Sequence, residues 1–112
     1  MNNTAKILWT TNNKETALNM ICLYAHNAKL KGWIGNVQIL IWGASQELVA
    51  KDKEVQDKVR QMIADGVEVI ACQKCAENLG IVGELESCNM QVYYTGELLS
   101  SWVKSGESII SV

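Results

Sequence analysis

Short runs of β-branched and aliphatic residues alternate along this chain with longer amphipathic stretches, and that alternation restricts the fold more than any other feature. Strands so apolar need cover on both faces, so the pattern predicts βαβ units around a mostly parallel five-stranded sheet. The strand runs are Ala5 to Trp9, Val37 to Trp42, Val67 to Ala71, Met90 to Tyr94 and Ser108 to Val112. Their expected core is Ile7, Leu8, Ile39, Leu40, Ile41, Val67, Val69, Ile70, Val92 and Ile109.

Between the strands, the stretch from Lys14 to Lys31 places Ala17, Met20, Ile21, Tyr24 and Ala28 on one helical face, after a Thr10-Thr11-Asn12-Asn13 turn that offers N-caps. From Ser45 to Asp65, Leu48, Val55, Val59, Met62 and Ile63 keep helical spacing, and Gly66 ends the element. The segment from Cys72 to Leu79 reads as a short helix or turn. Residues from Gly80 to Asn89 read as a loop, and those from Gly96 to Lys104 as a helix carrying Leu98, Leu99 and Trp102. At 112 residues the chain makes one domain, 1–112, and 48% apolar against 20% charged residues suits a folded core.

Charge and cysteine usage narrow the function. A net charge of -2 and a single arginine, Arg60, leave no basic stripe, so no nucleic-acid partner is expected. No run is long enough to cross a bilayer and no secretory pattern follows Met1, which predicts a cytoplasmic protein with no membrane partner. The match of Asn2-Asn3-Thr4 to a glycosylation acceptor is then incidental. In a reducing compartment four cysteines read as thiols, metal ligands or redox groups before they read as disulfides.

Cys72-Gln73-Lys74-Cys75 follows an apolar strand and opens a helix, where N–H groups, the helix dipole and the Lys74 charge favour a thiolate. Cys72 and Cys75 are therefore the candidate catalytic residues. A buried strand-end cysteine that only fills space is the competing reading for Cys72. A thioredoxin-type dithiol lacks its cis-proline, since the chain has no Pro. Cys22 and His26, spaced i and i+4, are the only metal-ligand candidates besides Cys88. On the helical face assigned above they point toward solvent or a neighbour rather than the sheet, and read as a surface His and an incidental Cys, so no metal and no cofactor is expected. Gly32 to Gly35 and Gly80 to Gly83 read as turns, the serines have no histidine base beside them, and the charges from Glu47 to Arg60 read as a solvated helix face.

Loops following parallel strands gather at one edge of the sheet, where open α/β proteins bind ligands. Thr11, Asn12, Trp42, Gly43, Lys74 and Thr95 are the candidate ligand-binding residues there.

The run Ile70-Ala-Cys72-Gln-Lys-Cys75-Ala-Glu-Asn-Leu-Gly80-Ile resembles the DsrE/DsrF-like family, which includes subunits of bacterial sulfur relays and places a Cys after the third strand and a Gly eight positions on. The resemblance implies a flavodoxin-like three-layer sandwich, oligomers, and sulfur carried as a persulfide on Cys72 and passed to a partner thiol. Leu79 and Cys75 depart from the relay members, which tend to have a basic and a small apolar residue there. The alternative function is a non-catalytic oligomeric protein binding a small ligand in the same cleft. Leu23 and Leu30, on the polar side of the first helix, are expected to meet another helix or a second copy, favouring a homo-oligomer.

Overall fold

The computed structural model describes residues 3–112. Met1 and Asn2, with the start of the formal glycosylation acceptor, lie outside the described residues. Five strands, β1 (Thr4–Trp9), β2 (Asn36–Ile41), β3 (Glu68–Cys72), β4 (Gln91–Tyr93) and β5 (Ile109–Ser111), form one sheet in the order β4-β3-β2-β1-β5. Every pairing is parallel.

The helices are α1 (Lys14–Thr16), a π-helical segment (Ala17–Cys22), α2 (Leu23–Leu30), α3 (Ala44–Lys51), α4 (Lys53–Ala64), α5 (Gln73–Leu79), α6 (Val82–Glu86) and α7 (Gly96–Lys104). The first three crossovers step along the sheet in one direction, and the last returns past β1. Right-handed crossovers then put all helices but α7 on one face. Packing agrees with that division. Ala5, Ile7 and Trp9, Val37, Ile39 and Ile41, and Val69 and Ala71 point into one large cluster with Ile21, Val49, Val55, Val59, Met62 and Leu85. The other face holds a small cluster of Leu40, Ile70 and Trp102, the last from α7. The architecture is the three-layer α/β sandwich with the five-stranded parallel sheet expected.

Most of the expected core is buried, but Leu8, Val92 and Ile109 are only partly so. Leu8 and Ile109 face the side that α7 covers alone, and Val92 lies on the short edge strand β4.

The first helical stretch corrects the helical-wheel reading. An i→i+5 turn advances the chain by less than the 100° per residue of an α-helix, so six π-helical residues rotate every later side chain. Met20 becomes exposed, and of Cys22 and His26, which an unbroken wheel turns toward solvent or a neighbour, Cys22 enters the main core and His26 is buried against α4. His26 is 6% exposed and held at both ring nitrogens. Its Nε2 lies 2.6 Å from Asp65 Oδ2 and its Nδ1 2.7 Å from Lys58 Nζ, ties from α2 to α4 and its C-cap. Leu23 and Leu30 are 51% and 58% exposed, on the outer side as expected.

Two further boundaries differ. The helix expected to run from Ser45 to Asp65 breaks at Asp52, which turns extended and accepts the Val55 N–H on Oδ1 at 3.0 Å, capping α4. Lys14 reaches the same break, with Nζ 3.1 Å from Asp52 and 3.0 Å from Glu54. The loop expected from Gly80 to Asn89 contains α6, because Leu85 and Cys88 bury against the main core. Among the described residues no helix is long and apolar enough to cross a membrane.

Candidate functional site

Cys72 is the last residue of β3 and the N-cap of α5, so its Sγ sits over the first turn of that helix. It faces the α7 side of the sheet, one residue beyond Ala71, which points into the main cluster. Cys75, three residues on, belongs to that first turn and is half-buried, whereas Cys72 is 3% exposed.

Burial alone raises the Cys72 pKa, but the Cys75 N–H, the Thr95 hydroxyl, the Cys75 thiol and the Lys74 N–H favour its thiolate, and the net shift is downward. Lys74 therefore contributes through its backbone N–H, while its side chain is exposed. Thr95, at the N-cap of α7, is buried, and its Oγ1 has no fixed hydrogen-bond partner, leaving the hydroxyl free to turn toward an anionic sulfur. Cys75 shifts the other way. Burial, the hydrogen bond with Cys72 and the negative charge of Cys72 raise its pKa, opposed by the Gly43 N–H. The two neighbouring sulfurs are thus biased in opposite senses, Cys72 toward the thiolate and Cys75 toward the thiol.

The turn that presents Gly43 to Cys75 is fixed from both sides. Ser45 Oγ donates to the Trp9 carbonyl at 2.6 Å and accepts the Trp42 N–H at 3.1 Å, joining the ends of β1 and β2. Gln46 Nε2 donates to the Ile41 carbonyl at 3.0 Å and the Cys72 carbonyl at 3.1 Å, joining β2 to β3. Gly43 between them adopts φ 69° and ψ -133°, which a side chain would strain. Sequence reasoning gave no role to Ser45 or Gln46. A buried glutamine in the first turn of a helix leaves no trace in hydrophobic spacing.

An open depression outside the pair is lined by Gly43, Ala44, Glu47, Cys75, Asn78 and Leu79. It adjoins a groove that shares Ala44 and Glu47 with it and adds Asn12, Leu48, Lys51 and Asp52. Of the candidate ligand-binding residues, Gly43 and Asn12 thus line adjoining hollows, and Thr95 lies beside Cys72. Thr11 steadies the preceding turn, its Oγ1 accepting the Asn13 N–H at 3.1 Å, and Trp42 packs on the α7-side cluster. Glu47, Asn78 and Leu79 were not expected at the site. Among the described residues no three His, Cys, Asp or Glu side chains gather as a metal site.

The other two thiols differ in kind. Burial pushes Cys22 up to about 12, against a small opposing effect of Lys58, and burial also raises Cys88. For Cys22 the sign is that of an acid ionising later in the fold than in the unfolded chain. The unfolded thiol loses its proton from pH 9 upward while the folded one keeps it, so stability falls as pH rises between 9 and about 12. By pH 10 the loss reaches about 1 kcal/mol. Urea unfolding of wild type and Cys22→Ala at pH 8 and 10 measures it. The wild type should lose more on raising the pH, and equal losses would refute the assignment.

No protein-family model and no curated protein matches the chain. Among solved structures, the conserved protein of unknown function BT1422 from Bacteroides thetaiotaomicron is 41% identical over 98% of this chain and 95% of its own, with a TM-score of 0.96. The protein of unknown function MTH1491 from Methanobacterium thermoautotrophicum aligns over 99% of this chain and 100% of its own at 17% identity and a TM-score of 0.74. The ychN protein from E. coli aligns over 96% and 99% at 15% identity and a TM-score of 0.64. The last two have a DsrE-like fold, which at this identity is a likeness of fold alone.

Proposed function

We propose, for a chain that belongs to the same family as the Bacteroides thetaiotaomicron protein BT1422, that it carries sulfane sulfur as a persulfide on Cys72. The observation that carries this reading is the place of Cys72 at the end of β3 and the cap of α5, beside the buried Thr95 hydroxyl and the N–H groups of Lys74 and Cys75, where its thiol is shifted toward the thiolate while Cys22, Cys75 and Cys88 are shifted away from it. The DsrE/DsrF-like resemblance around Cys72 and Gly80 points the same way.

In the proposed step the Cys72 thiolate attacks the outer sulfur of a donor persulfide or polysulfide, forms the new S–S bond, and expels the donor's remaining sulfur as thiolate or shorter polysulfide. The N–H groups of Lys74 and Cys75 and the Thr95 hydroxyl offset the negative charge on the inner sulfur before attack. Attack by an acceptor thiolate on the outer sulfur then returns Cys72 as thiolate. The lowered pKa makes it a good leaving group.

Intact-mass analysis after brief exposure to inorganic polysulfide tests the reading. In Cys75→Ser we expect a gain of one sulfur localised to Cys72, and in Cys72→Ser no gain at the 72–75 segment. Sulfur uptake by Cys22 or Cys88 with none on Cys72 would refute it.

A further inference from the structure

We infer that Cys75 is a resolving thiol, which attacks the inner sulfur of a Cys72 persulfide, closes a Cys72–Cys75 disulfide and releases the outer sulfur as hydrosulfide. The inference rests on the carrier reading and adds an activity to it, reduction of sulfane sulfur to sulfide. The two thiols lie at the cap and in the first turn of one short helix, with the Gly43 N–H on the Cys75 sulfur.

The step balances without an outside oxidant. The Cys75–H bond breaks, its proton goes to solvent or to the departing hydrosulfide, and the Cys75 electron pair forms the new bond to Cys72 Sγ. The pair of the old S–S bond leaves with the outer sulfur. In this step the Cys75 sulfur is oxidised and the outer sulfur reduced, so that over loading and resolution together two thiols become a disulfide and one sulfane sulfur becomes sulfide.

The unloaded site holds Cys75 in reserve. While Cys72 is a thiolate, its charge and hydrogen bond keep the Cys75 proton on. Sulfur loading moves the charge from the inner sulfur to the outer one, and Cys75 then keeps the Gly43 N–H that favours its own thiolate. Recovery is also directional. Cys75 lines the open depression beside Gly43 and Asn78 whereas Cys72 is buried, so a small dithiol meets the Cys75 sulfur first. Attack there expels Cys72, the sulfur of lower pKa and so the better leaving group. The second thiol of the dithiol then frees Cys75.

The experiment exposes reduced wild type, Cys75→Ser and Cys75→Ala to inorganic polysulfide without oxygen, removes the excess by rapid desalting, and follows intact mass and disulfide-linked peptides with time. Wild type should lose the mass of two hydrogens, carry a Cys72–Cys75 link and return to its starting mass with dithiothreitol. Both variants should keep one added sulfur on Cys72 over the same period. A wild-type persulfide as long-lived as that of the variants overturns the inference and leaves the carrier reading standing. No sulfur on Cys72 in any of the three proteins overturns both.

Discussion

Limiting iodoacetamide at pH 7 should alkylate Cys72 at least a thousandfold faster than Cys22. A thiol pushed up to about 12 is ionised to roughly one part in 100,000 at that pH, whereas an ordinary thiol near 8.5 is ionised to a few per cent, and only the thiolate reacts. Cys72 lies below the ordinary value because the Cys75 and Lys74 N–H groups and the Thr95 hydroxyl outweigh its burial. Cys75 and Cys88, both raised, should fall between the two extremes. The diagnostic quantity is the pH at which each rate reaches half its plateau, because limited access to Cys72 lowers its plateau without moving its midpoint. Mapping adducts between pH 5 and 11 should give the lowest midpoint at Cys72, with those of Cys75 and Cys88 above 9. A Cys72 midpoint above those of Cys75 and Cys88 would show that burial dominates and would remove the basis for its nucleophilic role.

The strand-end position of Cys72 was legible because two independent signals met there, an apolar run and the start of a short amphipathic segment. The five strands and their parallel pairing follow from the same alternation, whereas their order in the sheet does not. What escaped the sequence has specific causes. The π-helical segment from Ala17 to Cys22 changes the angular step without changing composition, so a wheel drawn at 100° turns Cys22 and His26 the wrong way. The break at Asp52 was hidden because Leu48 and Val55, seven residues apart, keep helical register across it, although Asp52 is a good N-cap. Gln46 holds the Ile41 carbonyl and reaches the Cys72 carbonyl 26 residues further along the chain, a contact created by the sheet pairing rather than by local pattern. The depression beside Cys75 has the same origin, since α3 and α5 supply its walls and meet only once β2 and β3 have paired.

Trp102→Ala should destabilise the fold by about 3–5 kcal/mol, the range for deleting a large buried aromatic. The expectation rests on how unevenly the sheet is covered. One face is shared by several helices, whereas the other is covered by α7, whose buried Trp102 packs with Leu40 of β2 and Ile70 of β3. Leu98 and Leu99 of α7 are only partly buried, so they cannot replace the indole. Against a usual total of about 5–15 kcal/mol the loss is a large fraction of stability. Val103, the next residue and exposed, serves as the control, and Val103→Ala should stay within about 0.5 kcal/mol of wild type. Because α7 begins directly after Thr95, the buried hydroxyl beside Cys72, loosening this helix should also release the Thr95 contribution to the thiolate. Trp102→Ala should therefore raise the pH midpoint of Cys72 alkylation while the protein remains folded, and Val103→Ala should leave it in place. Urea unfolding and the labelling profile together decide the matter. A loss below about 1 kcal/mol with an unchanged Cys72 midpoint would mean that α7 neither holds this face together nor positions the site.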